Sequence, residues 1–265
     1  MEVVQVYQGD GPVVLAFPHV GTGLPAQVAA RLNDEGRILR DTDWYIHDLY
    51  AGLIPGLTTV TATQSRYVID VNRDPSGISL YPGQATTGLI PQTTFDNVPI
   101  WDQPPSATDV AQWLDMVHRP YHTALMAEVA RVRARHGVAV LYDCHSIRSR
   151  VPWLFEGVLS NLNIGTNSGT SCALELEQAA TAIAAASGHS WVLNGRFKGG
   201  WTTRHHGRPD MGVHAIQMEL SQISHLASED PPFALDPDRT AHLRKTLTEI
   251  LATLADLAPR LAQHA

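Results

Sequence analysis

Cysteine is scarce in this sequence. Cys144 and Cys172 are the only two in 265 residues, too few for a disulfide framework and in keeping with a reducing compartment. Long apolar runs are absent as well, since none approaches the ~18 residues that a membrane-spanning helix needs. The opening MEVVQVYQGD lacks the basic stretch of a signal peptide and carries an acid at Glu2. A cytoplasmic protein that does not enter membranes is the expectation. Positive charge is not in surplus either: 19 Lys and Arg stand against 26 Asp and Glu, for a net charge of −7. That argues against nucleic acid and against anionic membrane surfaces, both of which need a basic face. It leaves an anionic small molecule open, because a few local arginines outweigh distant charge. Repeats, low-complexity tracts and linkers are missing too, so one domain over 1–265 is expected, as a monomer or a small homo-oligomer.

What is present is the material of a packed α/β protein. Hydrophobic residues make up 44% and charged residues 17%, a globular balance. Val13–Phe17 is a short apolar run between Gly11-Pro12 and Pro18-His19, and reads as a buried strand. Gln27–Leu32 and Asp41–Leu53 read as helices. Thr58–Thr63 and Tyr67–Val71 are β-branched and read as paired strands. Residues 74–105, rich in Pro, Gly, Thr and Gln, form a loop long enough to suggest a functional role or a lid. Ser106–Asp109 resembles a capping box, opening a helix that kinks at Pro120 and stops at Gly137. Val138–Tyr142 reads as the central strand, 156–172 as a loop, Ala173–Ala186 as a helix and Trp191–Leu193 as a short strand. Residues 194–212 read as loop and Val213–Leu220 as the last strand. An apolar stripe from Leu243 to Leu261 marks a C-terminal helix. Strands alternating with helices imply a mostly parallel sheet covered on both faces.

Ligands of open α/β sheets bind beyond the carboxyl ends of the strands. His19 follows the first strand, and Asp143, His145 and Ser146 follow the central one. Asp70, Asn72 and Arg73 end another, and Glu219 ends the last. Two histidines at separate strand ends suggest a metal, because neutral imidazole is a common ligand for zinc and similar ions. Ordinary hydrogen-bonded loop histidines are the alternative. A third ligand would be a carboxylate, and Asp41, Asp43 and Asp48 in DTDWYIHDLY are the nearest in sequence. Glu219, in the otherwise uncharged HAIQMELSQ, must be paired, ligate a metal or have a shifted pKa. It could be a general base or half of a structural ion pair. Arg66, Arg73, Arg148, Arg150, Arg196, Arg204 and Arg208, with Lys198, crowd the loops around these positions. Their planar forks suit carboxylates, although some of them will only keep loops soluble. Gly199-Gly200 and Gly207 permit close backbone approach or simple turns. Cys144 should face away from His145 across the strand. Asp143, His145 and Ser146 do not converge as a serine triad requires, and the chain has no G-x-S-x-G elbow.

Taken together, FPHVGTGLP, DTDWYIHDLY, SRYVIDVNRDP, SLYPGQATTGL, YDCHSIRSRVPWLFEG, LNGRFKGGWTTRHHG and GVHAIQMELSQ resemble, in order, the segments of the N-formylglutamate amidohydrolase family. The match runs over about residues 10–226. The resemblance implies a three-layer α/β/α fold with a mostly parallel mixed sheet, phosphorylase/hydrolase-like and related to the zinc carboxypeptidases. It implies a divalent metal, zinc in the first instance with Co²⁺, Mn²⁺ or Fe²⁺ as alternatives, on His19 and His145. Carboxypeptidases take a third ligand from a Glu three residues after the first His. Thr22 stands there in this chain, so Asp43 is expected to substitute, with Asp41 and Asp48 as alternatives. Glu219 matches the general base, and Asn72-Arg73 resembles a pair that grips a substrate carboxylate. Phe17 and Val20 stand where members of the family often carry serine. The implied reaction is hydrolysis of N-formyl-L-glutamate to formate and L-glutamate by a metal-activated water, the last step of a histidine degradation route. Arg66 is expected to stabilise the oxyanion, and one of Arg148, Arg150, Arg196 and Arg204 to hold the second carboxylate. The alternatives are a metal-dependent deacylase or carboxypeptidase-like enzyme on another N-acyl amino acid, and a non-catalytic binder of acidic amino acids.

Overall fold

Seven short apolar and β-branched runs assemble into one sheet in the computed structural model, which describes residues 2–80 and 82–262. Tyr81 of the SLYPGQATTGL segment lies outside the described residues, as do Met1 and residues 263–265. The strands are β1 (Val4–Tyr7), β2 (Val13–Phe17), β3 (Thr58–Ala62), β4 (Ala139–Ile147), β5 (Leu162–Gly165), β6 (Trp191–Leu193) and β7 (Val213–Ser221). Their order across the sheet is β1-β3-β2-β4-β7-β5-β6. The central four run parallel, while β1 and β5 pair antiparallel to β3 and β7. The helices are α1 (Ala26–Ala29), α2 (Asp34–Ile38), α3 (Ile46–Tyr50), α4 (Ala107–Trp113), α5 (Arg119–His136), α6 (Leu174–Ala186), α7 (Trp201–His206) and α8 (Pro237–Leu261). Among the described residues no helix is long and apolar enough to cross a membrane.

Strand side chains alternate between faces, and here the alternation splits the core in two. Val13, Leu15, Phe17, Val140, Tyr142 and Cys144 pack beneath α3, α6 and α8. Val14, Ala16, Val60, Leu141 and Ala215 pack against α1, α4 and α5 on the opposite face. The three-layer α/β/α arrangement follows. Cys144 therefore faces away from His145, and both cysteines are free and buried.

Several elements differ from the sequence reading. Tyr67–Val71 is no strand. β3 already has β1 on one side and β2 on the other, so no free edge is left to pair. The segment turns instead, with Val68 N–H donating to Ser65 O and Arg73 N–H to Asp70 O, and its apolar side chains are buried all the same. The Asp41–Leu53 helix shrinks to α3, because Tyr45 adopts a left-handed φ of 60° and Asp41–Trp44 make turns. β4 runs to Ile147, so His145 lies within the strand rather than beyond it. The loop 156–172 contains β5, and the loop 194–212 contains α7. Pro120, which has no N–H to give, follows a π-helical turn over Leu114–His118. The Ser106–Asp109 capping box is present, and Gly137 closes α5 with φ 75°.

Candidate active site

The parallel strands deliver their polar residues to one place. β4 and β7 pair with His145 opposite Glu219 and Asp143 opposite Gln217. All four side chains share the face that carries α4 and α5, at the carboxyl end where the apolar alternation stops. His19 sits two residues past the end of β2. Asp43 is brought beside it by a turn in which the Asp43 N–H donates to the His19 carbonyl at 3.0 Å.

His19, Asp43 and His145 are buried, and one ligand atom of each lies within 4.8 Å of the others. Asp43 Oδ2 is 3.2 Å from His145 Nδ1 and 3.7 Å from His19 Nδ1. Each ring's other nitrogen is engaged as well. His19 Nε2 bonds Asp70 Oδ1 at 2.7 Å, which leaves its Nδ1 lone pair directed toward Asp43. His145 Nε2 is 3.0 Å from Asn72 Nδ2 and 3.1 Å from Asp143 Oδ1. A carboxylate behind a ligating histidine is the usual way such rings are oriented. Burial pushes the Asp43 carboxyl up, but the two imidazoles beside it, His145 first, outweigh it and hold the group down at about 2. Its Oδ1 is buried without a hydrogen-bond partner.

The other two aspartates are placed elsewhere. Asp41 accepts from the Tyr67 hydroxyl and the Phe95 N–H, both at 2.9 Å, and burial raises it to about 6. Asp48 is exposed beside His47. Only Asp43 joins the two histidines.

Above the triad opens a pocket of about 530 Å³, its mouth included, lined by His19, His145, Glu219, Arg66, Arg73 and Arg196 among others. Glu219 is buried, accepts from Gln217 Nε2 at 3.2 Å, and is raised by burial to about 8. Arg66 donates to Asp70 Oδ2 at 2.6 Å and lies 4.7 Å over the Phe95 ring. Arg73 donates to Thr87 through its carbonyl and hydroxyl, at 3.0 Å each. Arg196 donates to the carbonyls of Leu154 and Ala85.

The remaining arginine candidates fall outside this pocket. Arg148 is drawn to Asp96 at 2.7 Å, Arg150 is exposed, and Arg204 donates to the carbonyls of Gly199 and Leu80. Asn72 lines the wall, but its oxygen accepts from Thr202 N–H at 2.8 Å and its nitrogen meets His145. One amide hydrogen is left for a ligand. Gly200 is required here because a Cβ would sit 2.3 Å from Asn72 Nδ2. Sequence reasoning missed Gln217, Thr86, Thr87, Phe95, Leu154 and Phe197. Gln217 was within reach, since it lies two positions before Glu219 and so on the same strand face. The rest come from loops, which carry no periodic signal.

The family model for N-formylglutamate amidohydrolase matches residues 11–225. The N-formylglutamate deformylase of Pseudomonas aeruginosa is 45% identical over 257 residues, 96% of this chain and 96% of that protein. The N-formylglutamate deformylase of Pseudomonas putida is 41% identical over the same shares. The crystal structure of N-formylglutamate amidohydrolase from Ralstonia eutropha JMP134 superposes with a TM-score of 0.82, covering 98% of this chain and 99% of that one at 24% identity. That likeness is one of fold.

Proposed function

The chain belongs to the N-formylglutamate amidohydrolase family, and we propose that it hydrolyses N-formyl-L-glutamate to formate and L-glutamate. The observation that carries the reading is 45% identity to a deformylase along nearly the whole chain. The site supports it, with a buried His-Asp-His group facing a carboxyl and three arginines across one pocket.

His19, Asp43 and His145 would hold a divalent ion. Two imidazoles and a carboxylate are a catalytic zinc set, and Co²⁺, Mn²⁺ or Fe²⁺ accept the same donors. The partnerless Oδ1 of Asp43 fits a carboxylate that serves a cation. When bound, such an ion polarises the formamide carbonyl and makes water more acidic.

The protein's own groups do the rest. Glu219 takes a proton from the attacking water and delivers it to the leaving nitrogen as the C–N bond breaks. Burial keeps this carboxyl well above the ordinary carboxylate range, which suits a group that must both take and give a proton. Arg66, fixed between Asp70 and Phe95, stabilises the oxyanion of the tetrahedral intermediate. Arg73, with the free amide hydrogen of Asn72, takes one glutamate carboxylate. Arg196 takes the other, being the one member of the Arg148, Arg150, Arg196 and Arg204 set that lines the pocket. Phe95, Leu154 and Phe197 narrow the space left for bulk water.

The test is formate release from N-formyl-L-glutamate by native, metal-stripped and reconstituted enzyme. Activity should vanish on stripping and return with metal, with formate and glutamate formed in equal amounts. Turnover of N-acetyl but not N-formyl amino acids would move the enzyme to another acyl substrate.

A further inference from the structure

His118 closes the π-helical turn before α5, and His122 lies one turn further along the same face, with ring centroids 4.6 Å apart. Neither reaches the pocket. His118 Nε2 is 3.0 Å from the carbonyl oxygen of Arg73, and His122 Nε2 is 2.6 Å from that of Val71. The two carbonyls bracket Asn72. A carbonyl can only accept, so each Nε2 must carry the proton. In the neutral ring, His122 Nδ1 is then an acceptor, and His206 Nε2 from α7 donates to it across 3.1 Å. Burial presses the pKa of both His118 and His122 downward, which keeps the rings in these neutral tautomers.

The same tripeptide is anchored from two other sides. Asn72 N–H donates to Asp70 Oδ1 at 2.9 Å, and Asn72 Oδ1 accepts from Thr202 N–H. The Arg73 guanidinium bonds back to the Asn72 carbonyl at 3.2 Å as well as to Thr87. Arg73 therefore reaches the pocket from a backbone held at several points, and the π turn and α5 supply one each. The π turn adds a residue to one helical turn, just ahead of the proline that breaks the regular ladder.

We propose that His118 and His122 are positioning residues, which hold the carbonyls of Arg73 and Val71 so that Arg73 and Asn72 meet a substrate carboxylate in a fixed geometry. The inference rests on the reading of the pocket as an N-formylglutamate site. Holding a carboxylate binds ground state and transition state alike, so its loss raises KM and leaves kcat nearly unchanged.

The experiment compares wild type with His118→Phe and His122→Phe, which keep a ring but lose the donor. His118→Gln and His122→Gln place an amide N–H near the original Nε2. Kinetics on N-formyl-L-glutamate should give KM raised roughly 5- to 30-fold in the Phe variants, with kcat within about threefold. The Gln variants should recover most of the KM. If a Phe variant does not fold, His118→Asn and His122→Asn, whose amides fall short of the carbonyls, take its place. Wild-type KM in folded donor-less variants overturns the inference, and so does a fall in kcat alone or Gln variants as impaired as Phe. Absence of any turnover by the wild type would instead sink the functional reading, and this inference with it.

Discussion

Three aspartates share one short segment, and their surroundings alone tell them apart. Proximity in sequence offers Asp41, Asp43 and Asp48 alike, and the resemblance favours Asp43. The structure sends Asp41 to Tyr67 and Phe95, leaves Asp48 exposed, and sets Asp43 between two imidazoles. Residue pattern alone could not make that choice, which only the family resemblance favoured, because it depends on a turn created by the left-handed Tyr45 and by the bond from Asp43 N–H to His19 O. His19, His145 and Glu219 were legible, since a polar residue closing an apolar strand stands out in any one chain. Asp70 was noticed only as a strand end, yet it bonds His19, Arg66 and the Asn72 N–H together. Glu219 carries the sharpest expectation at this scale. Glu219→Gln keeps the shape and the contact with Gln217 but cannot take a proton. Its kcat for formate release should fall about 10²- to 10⁴-fold, with KM close to wild type. Near-normal kcat would remove Glu219 from the proton transfer.

At the scale of elements, period-two alternation explains both what was foreseen and what was not. It predicts β2, β4 and β7 from their apolar runs, and it sets Asp143, His145, Gln217 and Glu219 on one face once those strands extend past their apolar part. It fails for Tyr67–Val71, where a buried β-branched run packs as a turn because its expected partner β3 is already paired on both sides. It also fails for β5 and α7, four and six residues long, which are too short to show a period. The loop after β2 shows how tightly such connections are built. A Cβ on Gly21 would lie 2.4 Å from Thr63 C, 2.6 Å from Gln64 O and 2.7 Å from Ala62 O. All three are backbone atoms at the end of β3 and cannot yield locally. Gly21→Ala should therefore destabilise the fold by roughly 2 kcal/mol or more. Because His19 lies two residues upstream, metal content should fall as well. Thermal melting and metal analysis of the purified variant check both, and a wild-type melting temperature would show that the loop can give way.

For the whole molecule, the notable quantity is the number of histidines buried in neutral form around the sheet. His206 and His225 are each pushed down by burial to about 4, and burial also lowers His118 and His122. Their neighbours do little to reverse this. His206 faces His205, Arg208 and Asp143, while His225 faces the Trp44 carbonyl and Asp43. The unfolded chain binds protons at these rings below the ordinary histidine pKa of about 6.5. The folded chain binds them only near 4. Between those values the unfolded state holds more protons, so stability falls as pH falls. It is complete above about 6.5, and His206 and His225 have lost their contribution once pH drops below about 4. At pH 5 each of these two should already have lost about 2 kcal/mol. Asp43 and Asp70, whose pKa values lie below the ordinary carboxylate range, cannot account for a loss at pH 5, because they stay ionised there in both states. Asp41 and Glu219, raised by burial to about 6 and about 8, take up protons in the folded state over the same range and offset the loss, so the histidine contribution is read as a difference: in denaturant melts at pH 7.5, 6 and 5, wild type should lose stability relative to His225→Gln as pH falls. A constant difference between the two across that range would mean that His225 takes up a proton in place.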